Sequence, residues 1–141
     1  MKKLLSLSLL VLLIVSFFGT NSFADNKIKQ PTVSKSTKIE VYYFHYTRRC
    51  MTCNAVENES KASIAALYPN YYKKGQITFT SINLDEKGSE VLAKKCQAEG
   101  QALLIISGNK RIDLTDKGFM YAKSSPEKLK AELKKTIDAM F

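Results

Sequence analysis

The segment Ile39-Glu40-Val41-Tyr42-Tyr43-Phe44-His45-Tyr46 constrains the fold more than any other part of the chain. It is β-branched and aromatic with almost no polar break, the pattern of a strand buried on both faces. Such a strand needs helices on both sides of its sheet. The dithiol motif Cys50-Met51-Thr52-Cys53 follows it closely, and the periodicity then turns helical from Cys53 to Tyr68. Val56, Ser60, Ile64, Leu67 and Tyr68 share one side of that helix, Glu57, Glu59 and Lys61 lie elsewhere, and Pro69 stops it.

Residues Gln76 to Leu84 read as a second strand, and a short helix runs from about Ser89 to Ala98 with Gly100 as its C-terminal breaker. Ala102 to Ile106 is a third, fully apolar strand. Gly108-Asn109 signals a two-residue hairpin into Arg111-Ile112-Asp113-Leu114. Ser125, Pro126 and Glu127 supply an N-cap, a first-turn proline and an early acid, and Leu129, Leu133, Ile137 and Met140 form the buried stripe of a last helix. The order β-α-β-α-β-β-α predicts an α/β fold of three layers around a mixed four-stranded sheet. Strand–helix–strand units imply parallel neighbours through right-handed crossovers, and the hairpin adds an antiparallel edge.

The N-terminus points to the compartment. Lys2 and Lys3 precede an uncharged apolar run, Leu4 to Phe18, and then Ser22 and Ala24 in a small-x-small arrangement. This is the layout of a secretory signal peptide cleaved after Ala24, and the apolar run is shorter than the roughly 20 residues of a membrane-spanning helix. Residues 25–37 are polar and lysine-rich with Pro31, a flexible leader, so the folded domain is expected over 38–141. No stable membrane insertion is expected after cleavage, and the product is expected outside the cytoplasm, periplasmic or extracytoplasmic.

The formal charge of +9 falls by two when Lys2 and Lys3 are removed. The remaining excess is scattered lysine, such as Lys73-Lys74, Lys94-Lys95 and Lys134-Lys135, without an aromatic-interleaved basic stripe. Nothing here calls for a nucleic-acid partner; weak attraction to acidic proteins or lipid headgroups is the most the charge implies. Neither a nucleophilic serine context nor a phosphate-binding glycine loop is present, and no cofactor is expected.

In an oxidising compartment each of the three cysteines is read as open to oxidation, and the close pair is the obvious couple. Cys50 falls at or just before the first turn of the longest helix, where unpaired amides and the positive dipole end favour an anion. Arg48 and Arg49 add positive charge. A thiol so placed ionises more easily than a free one at about 8.5, and the thiolate is the nucleophile of disulfide exchange. Cys50 is therefore expected outward and attacking, Cys53 tucked in and resolving.

Cys50-Met51-Thr52-Cys53 between a strand and a long helix, in this element order, resembles a thioredoxin-like domain without its extra N-terminal strand and helix. More narrowly, "VYYFHYTRRCMTCN" followed by "GQALLI" looks like a small exported thioredoxin-like family often labelled nitrophenyl-compound nitroreductase subunit. The resemblance implies a dithiol–disulfide site at Cys50 and Cys53 and an electron-donor role beside some partner; a disulfide- or dithiol-bearing partner protein or reductase and a monomeric chain are the expectation. It also implies a substrate-binding loop at Gln101 and Ala102. Ala102 stands where thioredoxins carry a cis-proline, Phe44 where they carry a buried acid, Arg49 where they carry a tryptophan, and the chain has no tryptophan. The missing proline favours a second reading, a soft ion such as Cu(I) held by Cys50 and Cys53 with His45; no resident metal is otherwise expected, since a closed zinc site needs four ligands. A third reading is a purely structural disulfide fixing a helix start.

His45, the only histidine, reads as a proton acceptor for Cys53, as that third ligand, or as a strand-end residue satisfied by one hydrogen bond. Cys96, on the face of Leu92, reads as an inert core thiol or as a third redox thiol. Tyr46 is the one tyrosine near enough to the pair to shape a partner groove. Asp85 and Glu86 face no predicted carboxylate.

Overall fold

A computed structural model describes residues 38–141 of the protein. The expected signal peptide and leader lie outside the described residues. The elements are β1 (Ile39–His45), α1 (Met51–Leu67), α2 (Pro69–Lys73), β2 (Ile77–Asn83), α3 (Ser89–Cys96), β3 (Ala102–Ser107), β4 (Lys110–Asp113), α4 (Thr115–Tyr121) and α5 (Pro126–Asp138). Among the described residues no helix is long and apolar enough to cross a membrane.

The sheet order is β2-β1-β3-β4. β1 occupies an interior position and its alternate side chains enter two separate cores. Ile39, Val41 and Tyr43 are fully buried with Val56 and Ile64 of α1, Leu129, Leu133 and Ile137 of α5, and Leu103 and Ile105 of β3. Phe44 faces the other way, with Leu104, Ala102 and the α3 residues Ala93 and Cys96. The result is the α/β fold with a mixed four-stranded sheet expected from the sequence, consistent with a thioredoxin-like arrangement.

β1 and β2 are parallel, as a crossover through α1 requires, with Tyr43 opposite Ser81 and His45 opposite Asn83. β3 departs from expectation. It runs antiparallel to β1 and sits on β1's other side, with Phe44 opposite Ala102. The reason is length. An eight-residue α3 spans about 12 Å, whereas a seven-residue strand spans about 23 Å, so α3 does not carry the chain back to the start of the sheet. β3 therefore begins at the end where β1 stops, and the hairpin through Gly108, in a left-handed conformation, adds β4 on the exposed edge.

Several boundaries also need correction. Pro69 ends α1 and at once starts α2, because a proline suits a first helical turn as well as it prevents a middle one. α3 stops at Cys96, two residues before the expected end, with Gln97 rather than Gly100 supplying the left-handed cap (φ 54°). Ser125 precedes α5, yet its side chain makes no capping bond; its carbonyl instead accepts the amides of Lys128 and Leu129.

α4 has no counterpart among the expected elements. Its sequence, Thr-Asp-Lys-Gly-Phe-Met-Tyr, is short and contains a glycine. Its start signal is Asp113, whose carboxylate accepts the Thr115 amide at 2.9 Å and the Thr115 hydroxyl at 2.5 Å. Gly118 is a contact residue of α4. A Cβ there would lie 3.2 Å from Val56 Cγ1 and 3.3 Å from Leu103 Cδ2. Gly118→Val therefore forces two methyls into a filled space and should lower stability by about 1–3 kcal/mol. Urea unfolding checks this: the midpoint should fall with an unchanged slope, and an unchanged midpoint would contradict it.

Candidate dithiol site

β1 delivers the chain to the site and the following loop is pinned to the exit of β2. The His45 carbonyl accepts the Leu84 amide at 2.7 Å, and the Thr47 amide donates to Asp85 Oδ2 at 2.7 Å. Asn83 Nδ2 donates to the Thr47 hydroxyl at 2.9 Å. The Thr47 amide and hydroxyl hold the Asp85 carboxyl below its ordinary value. Asp85, which has no evident partner in the sequence, is thus the anchor of the loop that carries the arginines.

Cys50 is the N-cap of α1, in extended conformation (φ −84°, ψ 166°). Its sulfur accepts the Cys53 amide at 3.1 Å, and the Cys53 sulfur accepts the Cys50 amide at 3.3 Å. The two cysteines thereby form a reciprocal capping box, the task usually done by a hydroxyl and a carboxylate. No acidic residue lies in the first turn, so these sulfurs are the groups placed to meet the helix's positive end. Cys50 and Cys53 are joined in a disulfide with their Cα atoms 5.1 Å apart.

The pair is asymmetric. Cys50 is exposed, whereas Cys53 is 4% exposed and faces the protein. Met51, between them, is 72% exposed. The loop before β3 closes over Cys53: Gln101 Nε2 lies 3.8 Å from the Cys53 sulfur. Ala102, the first residue of β3, is buried under α3 rather than presented to the surface. Tyr46 is exposed and its hydroxyl stands near Gly100. A cavity of about 690 Å³ opens beside Tyr46, lined also by Leu84, Ala93, Lys94 and the loop 97–100. The structure thus brings Cys50, Cys53, Gln101 and Tyr46 to one end of the sheet.

The two arginines, equivalent in the sequence, are separated by the fold. Arg48 is exposed and makes no hydrogen bond or ion pair among the described residues. Arg49 turns inward. Its guanidinium forms an ion pair with Glu57 and lies over the Tyr43 ring, 5.7 Å from the centroid. Glu57 was read as lying away from the buried side of α1; instead its side chain is only 22% exposed, and that of Arg49 21%. Burial pushes the Glu57 carboxyl upward, but Arg49 and the Ser81 hydroxyl outweigh it, so the carboxyl lies below its ordinary value. Burial likewise raises the Tyr43 phenol, and Arg49 offsets this in part.

His45 is 8% exposed and its ring lies beside Tyr43, with centroids 5.8 Å apart. Its Nδ1–H donates to the Tyr46 carbonyl at 2.9 Å, the single hydrogen bond of a strand-end histidine. Among the described residues no three His, Cys, Asp or Glu side chains converge where a metal ion could sit. Cys96 is 3% exposed in the α3 core, and burial raises its thiol, as suits an inert core cysteine.

Sequence reasoning missed Glu57, since a glutamate on a helix reads as solvated until its partner is known. The one available signal is spacing: Glu57 lies one turn beyond Cys53 on the same face. Comparison of the sequence with protein-family models and with curated proteins finds no match.

The depressed Glu57 carboxyl carries a pH consequence. Its contribution to stability is complete above the ordinary value of 4.5 and is lost as pH falls through the lower folded value. Glu57→Gln should unfold at a lower temperature than the wild type at pH 7, and the gap should close as pH falls below the ordinary value of 4.5. Thermal unfolding followed by circular dichroism checks this; a gap that persists at acid pH would mean the carboxylate charge is not what stabilises.

Proposed function

We propose that the protein is an exported thiol–disulfide redox protein in which Cys50 is the attacking sulfur and Cys53 the resolving one. The observation that carries this reading is the unequal placing of two bonded sulfurs at one helix start, Cys50 open to solvent and Cys53 covered. The layout of residues 1–24 supports export to a compartment where disulfides persist. The resemblance to thioredoxin-like proteins supports the same chemistry.

The cycle balances without a cofactor. In the oxidised form, a partner thiolate attacks the Cys50 sulfur, the Cys50–Cys53 bond breaks, and Cys53 leaves as a thiolate that takes up a proton. A second partner thiol then attacks the mixed disulfide, releasing Cys50 as a thiolate. The partner loses two electrons and the pair gains them; the reverse sequence passes them on. When Cys50 leaves, its thiolate sits at the N-cap, where it accepts the Cys53 amide as a charge-assisted bond. That favours Cys50 as the leaving and attacking group over Cys53. Exposed Met51, next to Cys50 in the chain, and exposed Tyr46, four residues before it, give a partner apolar footing.

A purely structural bridge fits less well. It closes a loop across a sequence separation of three, where the entropic stabilisation is smallest.

The test is capture. Reduced Cys53→Ser, incubated with glutathione disulfide, should form a one-to-one glutathione adduct at Cys50 by intact mass. Cys50→Ser should form less than about a tenth as much, because a covered thiol reacts slowly. Adducts in neither variant, or equal adducts in both, would overturn the assignment.

A further inference from the structure

Arg49 stands next to the proposed nucleophile in the chain, yet its charge is directed elsewhere. The guanidinium is held between the Glu57 carboxylate and the face of Tyr43. Both ion-pair side chains are about four-fifths buried, at 21% and 22% exposure, so solvent screens the pair poorly. Glu57 comes from α1, and Tyr43 and its register neighbour Ser81 come from β1 and β2. The Arg49 Nε is buried without a hydrogen-bond partner. A guanidinium with an unmet buried donor is held for its pairing with Glu57 and not by a full set of bonds. His45 is the other titratable group facing this cluster.

We propose that Glu57 is a positioning residue for the dithiol: by drawing the Arg49 guanidinium inward, it withholds a positive charge from Cys50 and sets how acidic that thiol is. This rests on the redox reading above. Arg48 is then the flanking cation left to act on the sulfur, and the helix start supplies the rest. Neutralising Glu57 leaves a net positive charge beside the pair. Neutralising Arg49 leaves a net negative one. Removing both restores the balance.

The test is the pH dependence of Cys50 alkylation in the reduced full-length protein, with Cys96 replaced by alanine throughout as the background. Glu57→Gln should speed alkylation at pH below the Cys50 midpoint by about three- to tenfold, a shift of roughly half to one unit in the thiol's ionisation. Arg49→Gln should slow it by a similar factor. The double variant should return to within about twofold of the background, and it carries the test should Glu57→Gln fail to fold. A purely structural role for the ion pair would lower thermal stability without moving the alkylation midpoint in opposite directions. Shifts of the same sign in both single variants, no shift in either, or a double variant slowed threefold or more would overturn the proposal. The redox reading itself fails differently: there, Cys50 in the background alkylates no faster than a free cysteine and captures no glutathione.

Discussion

The burial of β1 on both faces is the constraint on which the rest of the structure depends. Odd-numbered side chains from Ile39 to Tyr43 enter the core under α1 and α5, and Phe44 enters the core under α3. A strand with no solvent face must lie inside the sheet, so a neighbour on each side and a helix layer on each face follow. The end of such a strand is also a fixed point. The backbone leaves β1 with its direction set by seven ladder positions to β2 and six to β3, and α1 starts from that rigid exit. The sulfurs at the start of α1 inherit the precision of the sheet.

That inheritance explains why the helix can be capped by cysteines. A disulfide between residues three apart has little slack, and each sulfur also accepts an amide from the other residue. The arrangement works only if the chain enters the helix in extended conformation at Cys50, and the Thr47–Asp85 and Asn83–Thr47 bonds tie down the approach. Loop, cap and sheet edge form one connected device. The same bonds turn Arg48 outward and let Arg49 fold back along α1 toward Glu57.

Much of this was legible in the residues themselves. The α/β class, four strands, the helix after the dithiol, the buried stripe Leu129, Leu133, Ile137 and Met140, and the exposed Cys50 over a covered Cys53 all follow from periodicity and helix-start chemistry. The antiparallel placing of β3 did not, because it turns on how far α3 reaches and not on any residue type. α4 escaped because seven residues with a central glycine give too little periodic signal. Gly118 makes sense only beside Val56 and Leu103, which lie far from it in the chain.

The sequence by itself determined the four strands, the position of the two sulfurs at the head of α1, and the identity of the groups able to charge or shield them. These are local matters: side-chain alternation, turn chemistry and spacing within one helical turn act between near neighbours. Only the tertiary structure decided which of two adjacent arginines keeps its charge in solvent, what anchors the loop before Cys50, and which loop covers Cys53. Each of those depends on a distance between residues separated in the chain, Arg49 to Glu57, Thr47 to Asp85, Gln101 to Cys53. Electrostatic effects fall off with distance through space, so charge at the site is set by the folded geometry and not by order along the chain.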